Sequence, residues 1–303
     1  MSGTLVTCVM DDGPHWEHRV VNLVRSLRWF GGLLALEPFV IFAVGRPSPW
    51  FLKAIRGLDA QVELVSPVWA DRPFMNKSVA LGEATGSRRL VVFDCDTVVV
   101  GDLGPLLGGP CDVIARPVDI DPFTGKDWIA LEVNSGWDLG RDRLRATCTG
   151  RVTATYLNTG VISVGPEVRS ALHANWLRSF PALDAALRSI RPGRAFYAEQ
   201  LSFGAAVVAT SEARLVVAPA ELNWPAHLAV DPAALLLDAR PRIVHYHFMC
   251  QGSRVIAPLA PPEVQECLDA LAAAQEGSLV RPGSRPARDA DGVRAATYAK
   301  RAL

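Results

Sequence analysis

The chain has 303 residues, half of them hydrophobic, and its 31 basic residues balance 31 acidic ones. That apolar content excludes a wholly disordered chain, and the balanced charge gives no electrostatic reason to expect nucleic-acid binding. Six cysteines without close pairs exclude a zinc-ribbon or Cys-x-x-Cys motif and fit reduced core thiols.

Leu5 to Met10 reads as a first strand. It is preceded by Met1-Ser2-Gly3-Thr4, which lacks the cationic segment of a signal peptide, so a cytoplasmic location is expected. No apolar run is long enough to predict a transmembrane segment. After the turn Asp11-Asp12-Gly13-Pro14, apolar Val20, Val21, Leu23, Val24 and Leu27 predict a helix over Trp16 to Phe30, stopped by Gly31-Gly32. A second strand follows at Pro38 to Val44, then a helix at Trp50 to Leu58, a short strand at Val62 to Val65 and a helix around Met75 to Thr85. Arg89 to Val100 reads as a buried strand. This alternation predicts an α/β fold with a Rossmann-like, mainly parallel sheet flanked by helices.

Beyond Pro117 the pattern loosens, and Asp119 to Thr155 reads as a long polar loop of the functional or mobile kind. Tyr156 to Val164 is the next strand, followed by helical stretches around Glu167 to Phe180 and Phe196 to Val208. Arg242 to Phe248 predicts a strand with alternating side chains, which would put His245 and His247 on one face. From Arg281 onward six basic residues face only Asp289 and Asp291, a local charge of 6 − 2 = +4. Residues 276–303 are therefore expected to be a flexible basic tail, with peripheral contact to an anionic membrane as the alternative. The preceding residues, 1–275, are expected to form one domain, with a nucleotide-binding half up to about 117 and an acceptor half over 118–275.

The chemistry concentrates in Phe93-Asp94-Cys95-Asp96-Thr97. Two carboxylates one residue apart at the end of an apolar strand are costly to bury unless a cation neutralises them. A divalent ion, Mn2+ or Mg2+, completed by substrate phosphates is the economical answer. Such a pair also fits a haloacid-dehalogenase-like phosphatase, with Asp94 as nucleophile and Asp96 as general acid. That motif sits on the first strand of its domain, whereas here about ninety residues of β-α-β pattern precede it, and no later acidic pair completes a Mg2+ site. A non-catalytic nucleotide-sugar-binding protein is a third reading.

Five elements together resemble the retaining GT-A enzymes of the glycogenin and lipopolysaccharide galactosyltransferase type, glycosyltransferase family eight. Val9-Met10-Asp11-Asp12 resembles the strand and acidic turn that receive the nucleobase and ribose, and Asn76-Lys77-Ser78 resembles the helix that carries a basic residue near the donor. Asp94-Cys95-Asp96 takes the metal role. Tyr156-Leu157-Asn158-Thr159-Gly160-Val161 resembles the strand whose Asn lies near the sugars, and Ile243-Val244-His245-Tyr246 resembles the late element supplying a metal ligand. The family's Lys-Pro-Trp after that histidine is absent, and Gly252-Ser253-Arg254 offers Arg254 as the diphosphate-binding cation instead.

The resemblance implies transfer of a sugar from a nucleoside-diphosphate sugar to an acceptor hydroxyl, with retention of configuration. The acceptor is a saccharide, a lipid-linked compound, a protein or a small molecule. Metal ligands are expected among Asp94, Asp96, His245 and His247, and donor contacts from Asp11, Asp12, Lys77, Asp94 and Arg254. Asn158, Glu199 and Gln200 would face the donor sugar, with Glu199 orienting hydroxyls or, in an inverting enzyme, acting as base. Asn223-Trp224-Pro225 would close a loop beneath the sugar, and Trp128, Trp137 and Trp224 are either stacking platforms or packing residues.

Overall fold

The computed structural model describes residues 3–275 except 70, 85, 87, 142, 228–239, 252, 253 and 259. The expected basic tail and the Gly252-Ser253 dipeptide lie outside the described residues.

The first half runs β1 (Thr4–Met10), α1 (Pro14–Phe30), β2 (Phe39–Val44), α2 (Pro49–Arg56), β3 (Gln61–Val65), a 3-10 helix (Pro73–Ser78) passing into α3 (Val79–Glu83), β4 (Arg89–Phe93) and β5 (Thr97–Val99). It continues through β6 (Asp112–Pro117), α4 (Gly125–Ser135), the ribbon β7 (Leu144–Arg145) and β8 (Val152–Thr153), and β9 (Leu157–Val164). Then come α5 (Arg169–Ile190), α6 (Ala198–Ala209), β10 (Arg214–Val217), β11 (Trp224–Pro225) and β12 (Ile243–His245). The hairpin β13 (Cys250–Gln251) and β14 (Arg254–Val255) leads into α7 (Pro262–Gln275).

Seven strands form the main sheet in the order β10-β6-β9-β4-β1-β2-β3, and β9 alone runs antiparallel to its neighbours β4 and β6. The chain winds outward from β1 to β2 and β3, then crosses to β4 on the other side. The carboxyl ends of β1 and β4 therefore meet at a topological switch point, where open α/β sheets bind ligands. Side-chain alternation splits the core in two. Val6, Cys8 and Met10 of β1 join α1 and α7 on one face, while Leu5 joins α3, α5 and α6 on the other.

The expected α/β architecture with a mainly parallel sheet is present, with four local differences. The Arg89 to Val100 segment is two strands in two sheets, because β5 leaves the main sheet and pairs antiparallel with β12 in a three-stranded sheet β11-β12-β5. The expected 242–248 strand stops at His245. The Asp119 to Thr155 segment contains α4, whose start is fixed by a capping box between Thr124 and Asp127 and whose end is set by Gly136 at φ 71°. The expected Met75 to Thr85 helix starts in a 3-10 turn and is α-helical only over Val79–Glu83. The sequence reading also passed over β6, β10 and α7. No described helix is long and apolar enough to cross a membrane.

Candidate active site

Asp94-Cys95-Asp96 is the turn that carries the chain from the main sheet to the smaller one, and both its ends are pinned. The Asp94 N–H donates to Gly160 O of β9 at 2.8 Å, and Asp96 O accepts from the Tyr246 N–H at 3.0 Å. Thr97 closes the turn, its Oγ1 donating to Asp94 O at 2.7 Å. The same-side placement expected of an extended strand is therefore produced by a bridge between two sheets. Both carboxylates reach one imidazole: His245 Nε2 lies 3.2 Å from Asp96 Oδ1 and 3.9 Å from Asp94 Oδ2.

A backbone donor fixes the orientation of His245. The Gly160 N–H donates to Asn158 Oδ1 at 2.8 Å, which identifies that atom as the amide oxygen. Asn158 Oδ1 also accepts from Asn223 Nδ2 at 3.1 Å, so the Asn223 oxygen faces His245 Nδ1 at 2.9 Å. His245 Nδ1 is thereby the donor, and Nε2 is the nitrogen turned toward the acid pair. Gly160 is required here by space: a Cβ on it would sit 2.4 Å from His245 Cε1 and 2.5 Å from Nδ1.

His247 lies beyond the end of β12, at φ 50°, and reaches the same cluster by a turn rather than by strand alternation. Its ring stacks on His245 with centroids 3.8 Å apart, and its Nδ1 is 3.8 Å from Asp96 Oδ2. Burial and the adjacent His245 hold the His247 imidazole down at about 2, so it is neutral. Burial alone would raise the Asp96 carboxyl, but His245 above all, with Arg19 adding to it, outweighs burial and holds the group well below the usual range. Arg19 of α1, 3.8 Å from Asp96 Oδ2, is a neighbour the sequence reading missed.

On the Asp94 side the counter-charge is Lys77, 2.6 Å from Asp94 Oδ1 and also donating to Thr159 Oγ1 at 2.9 Å and Thr159 O at 3.2 Å. Burial pulls the ammonium down, yet Asp94, Glu199 and Asp96 together raise it above its ordinary value. Glu199, at the start of α6, accepts from Thr159 Oγ1 at 3.0 Å and lies 4.0 Å from Lys77. Burial pushes its carboxyl up to about 7 against the opposing pull of Lys77. Thr159 thus joins Lys77 to Glu199 and was not anticipated, although it stands between two residues that were.

The remaining expected residues divide. Asp11, at the end of β1, accepts from Asn76 Nδ2 at 2.8 Å, and burial raises its carboxyl. Asn76 in turn accepts from the Val68 N–H at 3.0 Å, so the residue before Lys77 ties the 3-10 turn to the β1 end. Asp12 is exposed beside Gly45, and Gln200 follows Glu199 half-buried in the first turn of α6. The structure does not join Arg254 to this cluster: it sits exposed on β14, paired with Asp269 of α7 at 3.0 Å. Trp128 and Trp224 are packed in the core, Trp128 donating to Asp121 Oδ2 at 3.1 Å, which selects the packing alternative for both. Trp137 is half-buried, with Arg178 over its ring.

Two carboxylates and an imidazole converge here, with His245 Nε2 3.2 Å from Asp96 and 3.9 Å from Asp94 and with Lys77 and Arg19 at the flanks, a donor set that fits a divalent cation accepting oxygen and nitrogen ligands. Asp94, Asp96 and His245 would hold it, and Asp96, His245 and His247 offer ligand atoms within 4.8 Å of one another.

No family model matches the sequence, and no curated protein matches it. Solved structures do match in shape. The galactosyltransferase LgtC in complex with donor and acceptor sugar analogs is similar at TM-score 0.52 and 14% identity, over 91% of this chain and 100% of that one. Mouse xyloside xylosyltransferase 1 is similar at TM-score 0.52 and 12% identity, over 82% and 98%. The glycosyltransferase GlyE of Streptococcus pneumoniae is similar at TM-score 0.52 and 12% identity, over 94% of this chain and 66% of that longer one. At these identities the likeness is one of architecture: the chain has the GT-A glycosyltransferase fold.

Proposed function

We propose that the protein is a metal-dependent glycosyltransferase that moves a sugar from a nucleoside-diphosphate sugar to an acceptor hydroxyl with retention of configuration. The observation that carries this reading is the convergence of Asp94, Asp96 and His245 at the carboxyl ends of the central strands. A bound dication would supply positive charge to the departing diphosphate. The fold favours this reading over phosphoryl transfer through Asp94.

Each neighbouring residue then has a physical task. The Asp11–Asp12 end of β1 borders the crevice that would receive nucleobase and ribose. Lys77 brings a buried positive charge next to Asp94, where it complements phosphate oxygens as well as the carboxylate. Glu199, close to half protonated at neutral pH, can donate to or accept from a sugar hydroxyl, and Gln200 and Asn158 add amide contacts of either polarity. Held together, these groups orient the anomeric carbon toward the acceptor.

Calorimetry with UDP, GDP and dTDP, with and without Mn2+, tests the proposal. Binding that requires both a nucleotide and the metal, and is lost in Asp94→Asn and Asp96→Asn, supports it. Wild-type sugar transfer by those two variants in the presence of metal would end it, as would phosphate release from a generic phosphoester without any nucleotide binding.

A further inference from the structure

We propose that Asp119, His227 and His247 form a second cation site beside the Asp94–Asp96 pair, selective for a borderline transition metal such as Zn2+ or Co2+. The three residues come from the ends of β6, β11 and β12, and their ligand atoms lie within 4.8 Å of one another. His227 and His247 meet edge to face with ring centroids 4.3 Å apart. His227 Nδ1 and His247 Nε2 are both buried without a hydrogen-bond partner. Buried polar nitrogens are ordinarily satisfied, and a cation between the rings would give both a partner.

The division of the two histidines after β12 follows from their contacts. His245 is committed by Asn223 to face Asp96 and Asp94, which makes three protein ligands for the first ion without His247. His247 turns its Nδ1 toward Asp96 at 3.8 Å, which leaves Nε2 on the far side of the ring. The left-handed backbone at His247 is uncommon for a residue other than glycine, and it carries the ring out of the strand direction into this position.

The metal preference rests on charge. Arg116 forms an ion pair with Asp119 Oδ1, and Asn158 Nδ2 lies 3.4 Å from Oδ2. Those contacts orient the carboxylate but also offset its charge. Hard ions such as Mg2+ draw their affinity from anionic oxygen and would gain little here. Two neutral imidazoles and one offset carboxylate suit Zn2+ or Co2+.

The site is independent of the transferase reading, because its occupancy can be counted without any donor or acceptor. The test is equilibrium dialysis of the full chain against Zn2+ and, separately, Co2+, with metal analysis and visible absorption of the cobalt form. Wild type is expected to hold two ions, the Asp94→Asn/Asp96→Asn double variant one, and His227→Ala one. His227→Ala should weaken the second ion about tenfold or more while Mn2+ binding at Asp94 and Asp96 is unchanged. His227→Gln, of similar size, serves if circular dichroism shows the alanine variant unfolded. Zn2+ stoichiometry and affinity unchanged in a folded His227 variant would overturn the proposal, as would complete loss of Zn2+ binding in the Asp94/Asp96 double variant.

Discussion

Lys77 Nζ and Asp94 Oδ1 lie 2.6 Å apart, and the same ammonium holds the backbone and side-chain oxygens of Thr159 in β9. The lysine thus occupies the Asp94 flank of the acid pair, and under the proposed function its charge would be available to a diphosphate there. Removing one member of a largely buried pair strands the other. Lys77→Met should lower the stability of the metal-free protein by about 3 kcal/mol. Mn2+ should recover part of that loss, and its affinity should rise several-fold because a competing charge is gone. Urea unfolding with and without Mn2+, followed by calorimetry, measures both; a loss that Mn2+ leaves untouched would show that Lys77 is only a structural tie.

Gly160 keeps its place because His245 fills the space a side chain would need. A Cβ 2.5 Å from His245 Nδ1 must displace the ring and break its bond to Asn223. Gly160→Ala is expected to weaken Mn2+ binding by about 10- to 100-fold and to cost about 1–3 kcal/mol of stability through overpacking. Metal titration and thermal unfolding read the two effects separately.

Asn223 sets which nitrogen of His245 faces the acids. Asn223→Leu leaves His245 Nδ1 without its acceptor and Asn158 without one of its two donors. Metal affinity should fall about 10-fold or more. Nitrogen NMR of the imidazole should show that the fixed tautomer of wild type has become a mixture. A single unchanged tautomer in the variant would mean that another group orients the ring.

Glu199 gives a pH signature. Its folded-state value near 7 lies above the ordinary 4.5, so between these values the folded protein binds the proton more tightly than the unfolded chain. Stability from this group therefore falls as pH rises through that window and levels off above it. Glu199→Gln should flatten the decline and make the metal-free variant more stable than wild type above pH 7, by at most about 3 kcal/mol at 1.36 kcal/mol per pH unit. Chemical denaturation across the range checks it, and parallel curves for the two proteins would show that Glu199 is ionised throughout.

Much of the fold was legible because buried parallel strands and amphipathic helices leave long periodic signals. β1, α1, β2, α2 and β9 fall close to their expected bounds. β6 and β10 were passed over although β6 is wholly buried, since a six-residue run ending in Arg116 and Pro117 lacks a clean pattern. α4 was hidden because its apolar residues, Trp128 to Leu131 and Val133, do not fall on one helical face, and the Thr124–Asp127 cap was the signal that could have announced it. Within the candidate site, Asp94, Asp96, His245, Asn158, Lys77 and Glu199 are brought together, but Arg254 is held by Asp269 instead. Thr159 stood inside a recognised motif without a role of its own, whereas Arg19, Asp119 and His227 carry no local motif, and a lone polar residue in a sequence says nothing about what it will meet.

By itself the sequence determined the alternation of strands and helices and the presence of two acids at the end of a buried run, because both depend on neighbours a few residues apart. Tertiary structure decided what those acids face. The crossing from the main sheet to the smaller one lays Asp94 against Gly160 and Asp96 against Tyr246, and β12 then delivers His245 between them. Those contacts join residues from β4, β9 and β12, and only the packing of two sheets fixes the register in which they meet.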